Sequence, residues 1–510
     1  MKRPSLNLNL VIAIAVCLIY LVFSIWSSRT KSPWSDEAWF ANAAFNLATK
    51  GRLTTTVLET QGTNLHGLDQ HTYWVMPLHL LVQAFWYKIA GFSLLNMRLI
   101  SVAFGLLALW AWFVVVSKLL GNKEIALLTI VILSSDYFFL MGASFGRMDM
   151  MSMALGASAL AVYLILREKN LGWAVISSQS LIVASGLTHP NGGVIFLLGW
   201  IFLAIYLDRK RLRVKYILPF VIPYLVGAAL WGAYILQAPD LFWSQFVTNA
   251  SMGGRMSGFA SPLAALKNEI VLRYIQSYGL AGHSVGNSGP IRLKALILVA
   301  YIIGICGILL TRSLRRNSGC RALLLLTALF FLILTIVDGQ KLSFYLIHIV
   351  PLYSALLAVW IHWCWTTRRV PRFIVAGLVF GFLALQLGGV AYRAKQNSYR
   401  TSYLPAVDFI RTNFDSRDSI MGSAVLGFSL GFDRIIDDVR LGFISGKRSK
   451  LIVVGETYEG AFKDYEKNEP EIYRHILNLT TNTYRPVYSG GTYQIYVLNS
   501  AADQNQLPRQ

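Results

Sequence analysis

Residues 8–40, LNLVIAIAVCLIYLVFSIWSSRTKSPWSDEAWF, hold the two features on which fold and chemistry turn. The apolar run over about 8–28 has the ~20 residues that carry a helix across a bilayer. A few residues later Asp36 and Glu37 stand side by side in Ser35-Asp36-Glu37-Ala38-Trp39-Phe40. Carboxylates are expensive near hydrocarbon and usually functional where they persist there, so an acidic pair at a membrane boundary points to chemistry on something lying in the membrane. A solvated acidic loop is the plainer alternative. Met1-Lys2-Arg3 ahead of the run imitates a signal peptide, but the apolar stretch is long for one and Ser27-Ser28-Arg29 is a poor cleavage site. A retained first helix is expected.

The pattern of this opening repeats. Of 510 residues, 55% are hydrophobic and only 14% charged, with a mean hydropathy of +0.51. Runs of near-spanning length recur at about 8–28, 96–118, 125–142, 150–167, 171–187, 192–207, 214–236, 293–311, 322–337, 344–366 and 371–390. The net charge of +21 has no nucleic-acid footprint, because its basic residues fall in short loops between the runs. One set of loops holds Lys118 and Lys123; Arg167 and Lys169; Arg209, Lys210, Arg211, Arg213 and Lys215; Arg312, Arg315, Arg316 and Arg321; Arg368, Arg369 and Arg372. The opposite short loops carry almost nothing basic except Arg147 and Lys341. This asymmetry makes the first set and the N-terminus cytoplasmic. Cys17, Cys306 and Cys364 lie in apolar runs and Cys320 in a basic loop, so neither structural disulfides nor a cysteine metal cluster is expected.

Three longer segments then face outside. The first, 29–95, contains Asp36-Glu37 and a stretch from Pro77 to Ala90. That stretch has Leu78, Leu81, Val82, Phe85 and Ile89 on one helical face and His79, Gln83 and Tyr87 on another, the pattern of an interfacial helix. The second, 237–290, reads as loop with short helices. The third is the tail. Leu404, Val407, Ile410 and Phe414 predict an amphipathic helix, Lys450 to Val454 a buried strand, and 486–497 a hairpin around Gly490-Gly491. The expected fold class is a polytopic α-helical membrane protein of about eleven transmembrane helices over 1–390, with an extracytoplasmic α/β domain over 391–510.

Six residues carry the candidate chemistry: Asp36, Glu37, Asp149, Arg147, Lys341 and His189. The Asp36-Glu37 pair suits either a general base at the outer interface or oxygen ligation of a divalent cation. Asp149, in Arg147-Met148-Asp149, lies at the outer end of two spans; it reads as an ion pair ending a helix or as a site residue. Arg147 and Lys341 break the charge rule on their side, which gives each a second reading as a phosphate-binding cation beside the simple one of pairing or snorkelling. Arg98 and Lys88 carry lesser suspicion. His66, His71 and His79 match no metal-ligand spacing, whereas His189, in Thr188-His189-Pro190-Asn191-Gly192-Gly193, stands in a tight outer turn that either brings it to the face of Asp36 or serves only to form the turn.

In combination these segments resemble the GT-C superfamily of polyprenol-phosphate-dependent glycosyltransferases, especially protein O-mannosyltransferases and lipid A aminoarabinose transferases. Asp36-Glu37 resembles the acidic pair of the first outer loop. Tyr73-Trp74-Val75-Met76-Pro77-Leu78 is similar to the aromatic then Pro-Leu element, Arg147-Met148-Asp149 to the Arg-x-Asp opening the fourth span, and Lys341 through Tyr345-Leu346 and Pro351 to the late Lys…Tyr-Leu…Pro stretch. The likeness covers about 1–390. Phe40 replaces the tyrosine often found after the pair, and Val75-Met76 replaces the Glu-Lys of the aminoarabinose branch.

The resemblance implies an inverting membrane glycosyltransferase that moves a sugar from a polyprenyl-phosphate donor to an acceptor hydroxyl on a lipid, glycan or protein. Asp36 would be the general base and Glu37 or Asp149 positioning groups. Lys341 and Arg147 would bind donor phosphate, and His189, Tyr345 and Tyr73 substrate. No cofactor is required, a divalent cation stays open, and the expected location is the plasma (inner) membrane. A lipid or glycan transporter or flippase is the principal rival, and a non-catalytic envelope assembly partner a third reading.

Overall fold

A computed structural model describes residues 8–252, 254–281 and 292–499. The Met1-Lys2-Arg3 start and the end of the second loop, 282–290, lie outside the described residues. Helix α1 (Leu8–Thr30) is followed by α2 (Ser35–Lys50), α3 (Pro77–Ala90) and α4 (Leu94–Leu120). Then come α5 (Lys123–Ser135), α6 (Tyr137–Ala143), α7 (Met148–Leu166), α8 (Leu171–Thr188), α9 (Pro190–Asp208) and α10 (Ile217–Ile235). Short helical turns fill 239–276, and α11 (Ala295–Leu310), α12 (Ser318–Val337), α13 (Val350–Thr367) and α14 (Arg372–Gln396) complete the bundle. Among the described residues eight helices are long and apolar enough to cross a membrane, with α5 and α6 a ninth crossing if counted together. The chain is a multi-pass membrane protein. Of the remaining expected spans, α11 is a shorter apolar helix of 16 residues, and α13 has Val350 to Val359 buried without interruption, enclosed by protein rather than lipid.

Where the sequence predicts one span over 125–142, the structure bends by 65° at Asp136. A broken helix in lipid must satisfy its freed backbone groups internally. Asp136 accepts from Phe139 N at 2.9 Å, capping α6, and from the Tyr301 hydroxyl at 2.7 Å. Gln386 donates to it at 3.1 Å and accepts from Tyr137 N at 2.8 Å. Three distant segments thus close one break.

Burial grades across the bundle. The apolar window of α7 is 78% buried, against 17% for α1 and 11% for α10, which therefore present lipid-facing surfaces. The α7–α9 approach depends on Gly156, where an added Cβ would lie 2.0 Å from the Phe196 ring.

The first loop is more ordered than expected. Helix α2 was not anticipated; it begins with acidic residues against its N-terminal dipole, and Glu37 folds back to accept from Trp34 N at 3.0 Å. Gly51, at φ +71°, ends it in a left-handed turn. Helix α3 has the bounds predicted, with Leu81, Phe85 and Ile89 exposed and His79, Gln83 and Tyr87 buried, the arrangement of a helix lying in an interface.

The tail holds α15 (Leu404–Asn413), β1 (Ile420–Gly422), β2 (Ile435–Ile436), β3 (Leu451–Val454), α16 (Glu456–Asn468), α17 (Pro470–Asn478), β4 (Tyr484–Gly490) and β5 (Tyr493–Leu498). The sheet order is β2-β1-β3-β5-β4, parallel through β2, β1 and β3 and antiparallel through β5 and β4. Alternation along β3 sends Ile452 and Val454 toward Tyr458, Ile472 and Ile476. Leu451 and Val453 face a second core shared with Val407 and Ile410 of α15 and Ala41 and Ala44 of α2. The tail therefore does not bury its core alone. One layer of it belongs to the first loop.

Candidate active site

Asp36 and Glu37, covalent neighbours on the first turn of α2, point to different environments. Glu37 is fully buried and forked onto Arg98 of α4, with Nε to Oε1 at 2.8 Å and Nη2 to Oε2 at 2.7 Å. Its Oε1 also accepts from Gly146 N at 2.7 Å. Arg98 spends its remaining donors on the carbonyls of Ser28, Lys31 and Ser32. Burial opposes the charge on Glu37, but the Arg98 guanidinium and the two backbone N–H donors prevail and hold its pKa below the usual range. Every lone pair has a task in joining α1, α2 and α4. Glu37 is a tie.

Asp36 keeps 24% of its side chain exposed and lines a cavity of about 520 Å³. Its Oδ2 pairs with Arg147 Nη1, while Oδ1 has no hydrogen-bond partner among the described residues. Burial pushes its pKa up, against the lowering effect of Arg147. Arg147 precedes α7 and shares its guanidinium with Asp149, Nε to Oδ2 at 2.7 Å. The guanidinium also lies over the rings of Trp34 and Phe344, at 5.0 and 4.6 Å from their centroids. Asp149 Oδ1 is buried without a hydrogen-bond partner among the described residues.

The α8–α9 turn brings His189 to the same cavity. Its Nδ1 accepts from Asn191 N at 3.2 Å, which assigns the proton to Nε2, 3.2 Å from the Tyr345 hydroxyl. Trp39, Trp74 and Arg255 also line the cavity. Asp36, Arg147, His189 and Tyr345, expected from sequence, therefore meet at one cleft, with Asp149 behind Arg147.

Two expected residues are placed elsewhere. Tyr73 is buried in the adjoining wall, its hydroxyl donating to Tyr234 O at 2.8 Å and its N to Gln245 at 2.8 Å; the next residue, Trp74, lines the cleft instead. Lys341 is 3% exposed and takes up a left-handed backbone at φ 57°. Its Nζ pairs with Glu269 at 3.1 Å and donates to Thr335 O. The same cluster holds Arg273, paired with Glu269 at 3.1 Å and with Asp338. Lys341 neutralises buried carboxylates.

Arg255 was missed, although the signal was present: it is another cation on the side that the charge rule leaves sparse. Trp39 carries no sequence signal that separates it from the other aromatic residues of its segment. For a metal, Asp36 and Asp149 converge on the Arg147 guanidinium rather than on a common point, and among the described residues no group of three or more His, Cys, Asp or Glu is arranged to hold one. A larger crevice of about 980 Å³ lies beyond the Trp74–Met76 wall, lined by Leu78, Leu81, Leu187, Leu230 and Trp231 with Arg52, Asp69 and His71 as its charged or titratable groups. Size does not mark the site. The convergent charges do.

No protein-family model matches the chain. An uncharacterized protein of Aquifex aeolicus is 23% identical over 214 residues, 41% of this chain and 40% of that protein's length. In three dimensions the chain is similar to ArnT from Cupriavidus metallidurans bound to undecaprenyl phosphate, with TM-score 0.61 and 12% identity over 96% of this chain and 98% of the other. It is also similar to the Archaeoglobus fulgidus oligosaccharyltransferase crystallised with zinc and sulfate, with TM-score 0.59 and 13% identity over 96% and 73%. An archaeal oligosaccharyltransferase AglB of the same organism, in complex with an inhibitory peptide and a dolichol-phosphate, aligns with TM-score 0.56 and 14% identity over 97% and 74%. These likenesses extend from the first helix into the tail sheet. The chain therefore shares its fold with ArnT and with the archaeal oligosaccharyltransferases.

Proposed function

We propose that the protein is an integral-membrane glycosyltransferase that moves a sugar from a polyprenyl-phosphate carrier to an acceptor hydroxyl, with inversion and with Asp36 as general base. The observation that carries the reading is Asp36 itself: a carboxylate at the mouth of the cleft, one oxygen paired with Arg147 and the other free to accept a proton. The acceptor oxygen attacks the anomeric carbon as its proton passes to Asp36. The bond from that carbon to phosphate oxygen breaks with its electron pair, and polyprenyl phosphate leaves. Negative charge then grows on the phosphate, where Arg147 and the exposed Arg255 supply fixed positive charge. Asp149 orients Arg147, and His189 with Tyr345 supplies hydrogen bonds to sugar or phosphate.

Bound undecaprenyl phosphate in the ArnT structure and dolichol-phosphate in the AglB structure favour a lipid-linked donor here. The apolar crevice beside the cleft offers surface for an isoprenoid chain. The charge asymmetry of the loops supports a cleft on the extracytoplasmic side. A transporter reading calls for broken helices with unsatisfied backbone at a binding site; among the described residues the one strongly bent pair has its break closed by Asp136, Tyr301 and Gln386. The decisive test is incubation of purified protein with a panel of radiolabelled polyprenyl-phosphate sugars and an envelope extract, wild type beside Asp36→Asn. Transfer by the wild type and none by the variant is expected. Equal transfer by both removes Asp36 from the mechanism, and vesicle translocation without transfer by either replaces the enzyme with a transporter.

A further inference from the structure

Trp39 stands one turn beyond Asp36 on α2 and lines the same cavity, as residues three apart on a helix do. Its indole is not held by the first loop alone. It meets Trp74 edge-on at 6.0 Å, and its Nε1 donates to Asp437 Oδ2 of the tail at 2.8 Å. Asp437 is 7% exposed and fully engaged: Oδ2 also accepts from Ala424 N at 2.9 Å, and Oδ1 from the Tyr458 hydroxyl at 2.8 Å. Its backbone joins the first loop too, N donating to Val57 O at 2.8 Å and O accepting from Glu59 N at 3.1 Å. Beside it, Ser35 Oγ lies 3.2 Å from Thr457 Oγ1. The tail thus grips the first turn of α2 at two points that bracket Asp36.

An indole presents a broad apolar face and one N–H that needs a partner when half-buried. The C–H face of a sugar ring packs against such a surface, and the contact selects among sugars only if the indole is held in one orientation. Among the described residues Asp437 is the hydrogen-bond acceptor that sets that orientation.

We propose that Asp437 is a positioning residue of the transfer site: from the tail domain it fixes the Trp39 indole as the platform for the transferred sugar ring. This rests on the glycosyltransferase reading. In full-length protein, Asp437→Leu raises KM for the polyprenyl-phosphate sugar about tenfold and leaves kcat within about twofold, the size expected for losing a charged hydrogen bond. Asp437→Asn restores KM, because the amide oxygen accepts from Trp39 and Ala424 while its N–H₂ faces the Tyr458 oxygen. Tyr458→Phe lowers the melting temperature without moving KM. Trp39→Phe raises KM by the same factor as Asp437→Leu, and the double variant adds nothing. An unchanged KM in Trp39→Phe, or losses that multiply in the double variant, overturns the proposal. Should Asp437→Leu fail to fold, the Trp39→Phe result still decides.

Fluorotryptophan NMR separates this inference from the reading beneath it. The resonance lost in Trp39→Phe should move on adding a polyprenyl-phosphate sugar and stay still with bare polyprenyl phosphate. If it does so while the wild type transfers no sugar, the transferase reading fails and the platform stands. If the wild type transfers sugar and the resonance ignores the donor, the platform fails.

Discussion

Two buried charge clusters stand near the cleft, and they use the same ingredients to opposite ends. In the first, Asp36 and Asp149 share Arg147, with one oxygen of each carboxylate left without a hydrogen-bond partner among the described residues. In the second, Glu269 and Asp338 face Arg273 and Lys341, and each charge has an opposite charge beside it. Asp338 is further held by the N–H groups of Gln340 and Leu342. The second cluster is turned inward, and of its members only Asp338 lines the cleft; the first is open to it through both Asp36 and Arg147. Charge near a membrane marks chemistry where it faces a cavity.

Four outcomes break or sharpen this contrast. The largest is expected at the open cluster, where Asp36→Asn lowers kcat by about 10²–10⁴ while thermal unfolding in detergent stays as in the wild type. Next, Lys341→Met leaves two buried carboxylates to share Arg273, one negative charge in excess, and destabilises the protein by about 3–5 kcal/mol, read as a shifted unfolding transition; surviving protein keeps the wild-type KM for donor. Arg255→Ala has the reverse profile, with donor KM raised about tenfold and unfolding unchanged. A Lys341 variant that loses donor affinity without losing stability would exchange these two assignments.

The fourth and smallest effect is on pH. Raised by burial, Asp36 is protonated first as pH falls, so the acid limb of kcat/KM should lie above the ordinary carboxylate range. Because its folded pKa is raised, ionising Asp36 on the way up in pH opposes folding. Glu37 has the opposite sign: its lowered pKa contributes stability that is present above ~4.3, the unfolded glutamate value, and is lost as pH falls through the folded one. Activity should therefore decline on acidification while the fold persists. Coincident loss of both, followed by turnover and circular dichroism, would put the two carboxylates in one role.

The spanning helices were legible because lipid leaves little choice: backbone that crosses it must be helical and apolar for a fixed length. Helix α2 was not. Its buried residues include Asn42, Asn46 and four alanines, a composition that becomes a core face only against residues of the tail some 370 positions later, such as Val407 and Ile410. In the site, Asp36, Arg147 and His189 were readable from charge placement and turn chemistry. The displacement of Lys341 was not, since its partner carboxylate, Glu269, sits in a loop segment with no apolar pattern to fix its position. Arg255 breaks the same charge rule as Arg147 but lies inside a longer loop, where one cation stands out less.

The bend at Asp136 sets an order of events during synthesis. Its side-chain partners, Tyr301 and Gln386, follow it by 165 and 250 residues. At ~5–20 residues per second the ribosome needs roughly 12–50 s to supply the later one. Through that interval Asp136 has only its local partner, Phe139 N, and the break is closed only when the helix carrying Gln386 is in place.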